Sequence, residues 1–158
     1  MYILKSLALS LGLGCLIACS SPSGGESASS AQSAPDPESE ATPAVQTQAL
    51  EKGKTIYNQY CLACHQGDGN GVAGAFPPLT QTEWVAGDKA TLVSVILNGM
   101  QGEITVKGET YNNAMPAHGF LSDEEIGAVL TYVRQSFGND YSEITTEEVA
   151  EVRASAAN

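Results

Sequence analysis

Five consecutive residues, Cys61-Leu62-Ala63-Cys64-His65, constrain this chain more than any other stretch. Two residues separate the thiols and a histidine follows the second one directly. A structural zinc site would need four ligands, and no second ligand pair accompanies this one. A thioredoxin-like redox pair would need a βαβ context. Here Gly53, Ile56, Tyr57, Tyr60, Cys61 and Cys64 recur at helical spacing instead. The chain's other two cysteines, Cys15 and Cys19, fall in an N-terminal apolar stretch that reads as a leader, so the folded part has no disulfide framework.

The pattern that survives is the attachment signature of c-type haem. Two intervening residues set the thiols apart so that each can bond one vinyl-derived carbon on adjacent haem edges. The histidine then lies under the porphyrin with a ring nitrogen on the iron. The opposite face of the iron has three candidate ligands, Met100, Met115 and His118. Met115 stands in the turn-rich Tyr111-Asn112-Asn113-Ala114-Met115-Pro116, where a following proline holds the loop at little entropic cost, and it is the preferred choice. Met100 follows Asn98-Gly99 at a helix end, where a methionine more often packs. His118 reads most simply as a loop histidine near the haem edge.

The first helix should carry Cys61 to its own C-terminal end. Asp88 is the expected N-cap of a second helix with Leu92, Val95 and Ile96 inward, closed by Asn98-Gly99. Ser122 with Glu125 forms a capping box, and Leu121 with Ile126 a hydrophobic staple, for a third helix. Its inner face is Ile126, Val129, Leu130, Val133 and Phe137, and Gly138-Asn139 ends it. Between the second and third helices, Glu103 to Tyr111 alternates apolar and polar residues around Lys107-Gly108-Glu109, which predicts a short β-hairpin. Thr145 to Glu148 repeats the capping pattern before Val149 and Val152, and predicts a short peripheral helix in a tail spanning 141–158. Residues 49–140 would then be the folded domain. Three modest helices make a small core, and a large apolar group fixed at its centre would repair that deficit.

Residues 1–18 hold one positive charge, Lys5, and the apolar run Leu7 to Ala18, a stretch too short to cross roughly 30 Å of hydrocarbon comfortably. They read as a secretory signal. Leu16-Ile17-Ala18-Cys19 resembles the lipobox of bacterial lipoproteins, in which the cysteine is acylated and becomes the first mature residue. Ser20 follows it, so that family's usual inner-membrane retention residue, Asp, is absent. Residues 20–48 are Ser, Ala, Gly, Pro, Glu, Gln and Thr with one Val and no aromatic, apart from an Asp. Such a segment predicts a disordered tether of 19–48 from the acylated Cys19, with a root-mean-square span of roughly 30 Å. Loss of Lys5 takes the formal charge from −11 to −12. That surface repels nucleic acid and anionic lipid, and is steered toward basic docking faces.

Residues 49–140 resemble a class I bacterial cytochrome c. The likeness rests on Cys61-Leu62-Ala63-Cys64-His65, Ala114-Met115-Pro116, the helix order, and Gly74-Ala75-Phe76-Pro77-Pro78-Leu79. It implies an all-α fold of three main helices around one covalent haem c, with the hairpin as an insertion over Gly102 to Asn113. It implies that the Pro77 carbonyl accepts a hydrogen bond from the far nitrogen of His65, and that Gly53 and Tyr132 mark the crossing of first and last helices. Trp84 is either a donor to a haem propionate, as tryptophans are in relatives, or ordinary core. With His65 and Met115 on the iron, the resemblance implies electron transfer at a raised potential, because a thioether favours the ferrous state. The donor would be a quinol-oxidising complex or dehydrogenase and the acceptor a terminal oxidase or reductase, on the periplasmic side of a bacterial membrane. Two alternatives stay open. An iron without Met115 would support peroxidase-like chemistry or gas sensing, although no distal acid–base pair is placed to help. A fixed subunit of a respiratory complex would use the same chemistry as a mobile carrier.

Overall fold

The computed structural model describes residues 43–156. The expected signal peptide, Cys19 and most of the tether lie outside them. Helix α1 spans Pro43–Tyr60, so residues 43–48, expected in the tether, are helical. Proline suits a first helical turn, where its missing N–H has no partner to lose. A one-turn α2, Leu62–His65, follows at an angle after Cys61. Then come a second short helix α3, Glu83–Ala86, and α4, Lys89–Asn98. Strands β1 (Ile104–Val106) and β2 (Glu109–Tyr111) precede α5, Asp123–Gln135, and α6, Thr146–Ala156. The architecture is all-α with one small antiparallel hairpin, as expected. No helix among the described residues is long and apolar enough to cross a membrane.

The local signals behave as chemistry dictates. The Asp88 carboxylate accepts from the Thr91 N–H at 2.7 Å and starts α4. At α5 the Ser122 hydroxyl accepts from the Glu125 N–H, while Glu125 reaches back to the Ser122 N–H at 2.8 Å. In the hairpin Ile104 faces Tyr111 and Val106 faces Glu109. Lys107 and Gly108 both have positive φ, 52° and 81°, as the tight two-residue turn requires.

α1 and α5 share the broadest contact of the fold. Gly53 permits it, because a Cβ there would collide with the Ala128 carbonyl and Tyr132 Cβ. α5 ends at Gln135, earlier than Gly138-Asn139, because Phe137 and Gly138 both turn left-handed. Phe137 remains in that conformation with its ring against Tyr57 and Tyr132, at 5.2 and 5.6 Å between centroids. Asn139 then closes the helix by donating to the Val133 carbonyl at 2.7 Å.

α6 is a departure. It was expected at the periphery, yet Val149 is fully buried and Ile144 nearly so, both within the common core. α6 packs against α4 and α5, and position 140 marks no break in the packing. Arg153 ties it back by an ion pair to Asp123 at 2.6 Å and bonds to the Gly119 and Leu121 carbonyls. Arg134, on α5, is buried as well. Its guanidinium donates to Val85 O at 2.6 Å and Ser142 O at 2.7 Å and lies over the Tyr141 ring. A charged residue in an amphipathic helix reads as solvent-facing, so only the fold reveals this anchor.

Candidate functional site

α2, α4, the hairpin and two loops line a large apolar cleft. Helix α1 delivers Cys61, and α2 places Cys64 and His65 one turn later on the cleft wall. Both thiols are free and half-buried. Burial, then the neighbouring Cys64, pushes Cys61 up to about 11. Burial thus favours the neutral form of this thiol. No cluster of His, Cys, Asp and Glu suited to a metal ion occurs among the described residues.

His65 Nδ1 lies 3.0 Å from the Pro77 carbonyl oxygen. A carbonyl has no proton to give, so Nδ1 donates and Nε2 keeps its lone pair, the state in which imidazole binds metals. Desolvation by burial lowers the pKa of His65, and the bond to Pro77 opposes that shift. The loop carrying Pro77 is fixed from several directions. Tyr57 Oη donates to Gln66 O at 2.6 Å, and its burial raises the phenol's pKa. Gly71 N–H donates to His65 O at 3.0 Å, and Leu79 N–H to Gly69 O at 2.7 Å. Val72 and Phe76 exchange two backbone bonds. Asn139 binds this loop's far end through Leu79 O and the Gln81 N–H. Gly71 is a residue that sequence reasoning passed over. Its φ is +64°, and a Cβ there would stand 2.6 Å from the Pro77 oxygen, besides striking Phe76 O. The run Gly67-Asp68-Gly69-Asn70-Gly71 was the available signal.

Met115, Met100 and His118 all border the cleft. Met100 and Met115 pair across an isolated antiparallel bridge. His118 is buried between Tyr60 and Phe120, and its Nδ1 has no hydrogen-bond partner among the described residues. Phe120 is 69% exposed at this rim. Trp84 also lines the cleft, but its indole N–H donates to the Thr105 carbonyl at 2.9 Å. That bond, with Lys107 N–H to Glu83 Oε1 at 2.9 Å, holds the hairpin against α3. In this arrangement the single indole proton is already engaged. Gly53 and Tyr132 meet at the α1–α5 crossing, away from the cleft wall.

On α4 the residues expected to face inward, Leu92, Val95 and Ile96, line the cleft. Ile104, Val106 and Tyr111 of the hairpin roof it, with Val129, Leu130 and Val133 of α5 behind. Apolar walls, two free thiols, an imidazole with its outer nitrogen anchored and two thioethers together fit a covalently held haem.

The cytochrome c family profile matches residues 50–137. The chain is similar to a cytochrome c-552 of Thermus thermophilus, 42% identical over 115 residues, which are 67% of this chain and 77% of that protein. It is also similar to the gluconate 2-dehydrogenase cytochrome c subunit of Pantoea cypripedii, 31% identical over 108 residues, 65% of this chain and 24% of the relative. A shorter match, 48% identical over 61 residues, links it to the Cbb3-type cytochrome c oxidase subunit CcoP of Azospirillum brasilense. That match covers 34% of this chain and 20% of the relative.

Proposed function

Since the chain belongs to the cytochrome c family, we propose that it is a lipid-anchored carrier that uses His65 and Met115 to hold one haem and passes electrons between respiratory proteins. Electron transfer through covalently bound haem c is the function of the domain. When bound, the haem supplies a one-electron Fe(II)/Fe(III) couple. The chain's own residues supply everything else. Cys61, just after α1, and Cys64, in α2, would hold the ring covalently. His65 would offer Nε2 to the iron, oriented and made more basic by its bond to Pro77. Met115 offers a soft thioether that favours the ferrous state, and the apolar walls disfavour the extra ferric charge.

The observation that carries this reading is the 3.0 Å contact of His65 Nδ1 with Pro77 O inside the apolar cleft. It leaves the imidazole no free choice of tautomer or direction. With His65 and Met115 both holding the iron, oxygen would find no vacant site, which favours a carrier over an enzyme. With α1 starting at Pro43, the tether from the lipid on Cys19 covers residues 20–42, roughly 25 Å in root-mean-square span. An acidic head on such a lead is suited to brief encounters with basic faces of a quinol-oxidising complex or dehydrogenase, and of a terminal oxidase or reductase. The similar proteins include subunits of an oxidase and of a dehydrogenase, which supports partners of this class.

The test is the visible spectrum of the matured protein, oxidised, then reduced, then exposed to carbon monoxide. Low-spin bands, a weak far-red thioether–iron band on oxidation and no carbon monoxide response are expected. High-spin bands or a prompt carbon monoxide shift would sink the closed-site reading and turn attention to an enzyme or sensor.

A further inference from the structure

Two methionines stand side by side in the cleft wall. The N–H of Met100 donates to Met115 O and the N–H of Met115 to Met100 O, both at 2.9 Å. In a reciprocally bonded antiparallel pair the two side chains leave the ladder on the same face, with Cα atoms about 5.5 Å apart. That face is the cleft, which both residues line. The register of the pair is enforced. Gly99, at φ +71°, presses so close that a Cβ would stand 2.5 Å from Met115 O and 2.8 Å from Ala117 N. The pair keeps the register of the hairpin, in which Ile104 faces Tyr111, and both of those residues line the cleft as well.

Met115 is half-buried and packs against the hydrophobic core, and Met100, also half-buried, lines the cleft beside it. A thioether is a soft donor on three rotatable bonds, so its sulfur can reach several positions from one backbone site.

Resting on the reading of this cleft as a haem site with a methionine ligand, we propose that Met100 is a second thioether ligand, able to take the iron position that Met115 holds. The exchange is one of lone pairs: the Met115 sulfur withdraws and the Met100 sulfur donates in its place. No electron or proton moves. The ligand type is conserved, so the carrier would keep its soft axial ligand when Met115 is lost.

The experiment compares four haem-loaded, full-length proteins: the parent, Met100→Leu, Met115→Leu and the double variant. Leucine keeps volume and apolarity, so the cleft wall survives. The readouts are the far-red thioether–iron band of the oxidised protein and carbon monoxide affinity of the reduced one. Met100→Leu retains the Met115 sulfur, so its thioether–iron band should persist. Met115→Leu should keep the band and bind carbon monoxide at least tenfold more weakly than the double variant, in which the band disappears. A Met115→Leu protein without the band overturns the proposal while leaving Met115 as the resident ligand. Loss of the band in Met100→Leu alone instead overturns the reading that puts Met115 on the iron, and the proposal with it.

Discussion

Val93 and Leu97 of α4 belong to the closed core, while Leu92 and Val95, on the same ten-residue helix, are half-exposed and face the cleft. The contrast extends to the whole molecule. Where α1 meets α5, backbone touches backbone at Gly53 and three aromatic rings, Tyr57, Tyr132 and Phe137, lie 5.2–5.6 Å apart. Of these residues only Tyr57 also borders the cleft. Across the cleft, Ile104 of the hairpin and Leu92 of α4 border a cavity instead. Full burial of an aliphatic side chain contributes about 1.5–3 kcal/mol, and the half-exposed cleft residues, such as Leu92 and Val95, would gain the remainder of it when haem fills the space. One half of the core is therefore encoded by the chain and the other half is completed by the cofactor.

Removal of the attachment points breaks this comparison most severely. The Cys61→Ser/Cys64→Ser variant should retain no haem on a denaturing gel and should lose the parent's cooperative thermal transition by circular dichroism. A variant that melts like the parent would show that the cleft walls need no filling. Damage confined to the closed side should look different. Gly53→Val drives α1 away from α5 and should cost about 3 kcal/mol, a drop of roughly 10–20 °C in Tm. Its oxidised spectrum should stay that of the parent. If the spectrum changed as much as the stability, the two halves would not be separable.

The smallest effect sharpens the comparison at the edge of the closed side. Ser122→Ala removes one helix cap, at about 1 kcal/mol near neutral pH. The Ser122 N–H, then its hydroxyl, hold the Glu125 carboxyl below its usual 4.5. A carboxylate with a lowered folded pKa stabilises the protein above about pH 4.5, and that contribution is lost as pH falls through the depressed value. The difference in Tm between parent and Ser122→Ala should narrow below about pH 4.5. A gap that stays constant down to about pH 3 would separate the cap from the Glu125 charge.

Sequence reasoning reached what is decided within a few residues. The caps at Asp88, Ser122 and Thr145 work because each side chain bonds an N–H three residues on, whatever surrounds it. Lys107-Gly108 makes its turn on the same terms. The apolar period of α4 marked Leu92, Val95 and Ile96 as inward, but it could not tell a protein core from a cofactor's wall, since both demand the same side chains. α6 was missed as core because Val149 and Val152 alone make a thin apolar stripe. Its burial depends on the space left by α4 and α5, and on Arg153 reaching Asp123. α3 was missed because four residues are too few to show a period.

The five residues from Cys61 to His65 determined by themselves that the chain attaches a haem, because the spacing of thiols and imidazole along one backbone is covalent geometry. The short-range signals likewise determined where α4, α5 and the hairpin begin. The family resemblance, not local geometry, pointed to the Pro77 oxygen meeting His65, and only the tertiary structure decided that Asn139 holds Leu79 and that Met100 lies opposite Met115. Each of those contacts joins residues separated by a loop. Its existence rests on closing that loop against everything else in the fold, at an entropic cost that no local stretch of sequence specifies.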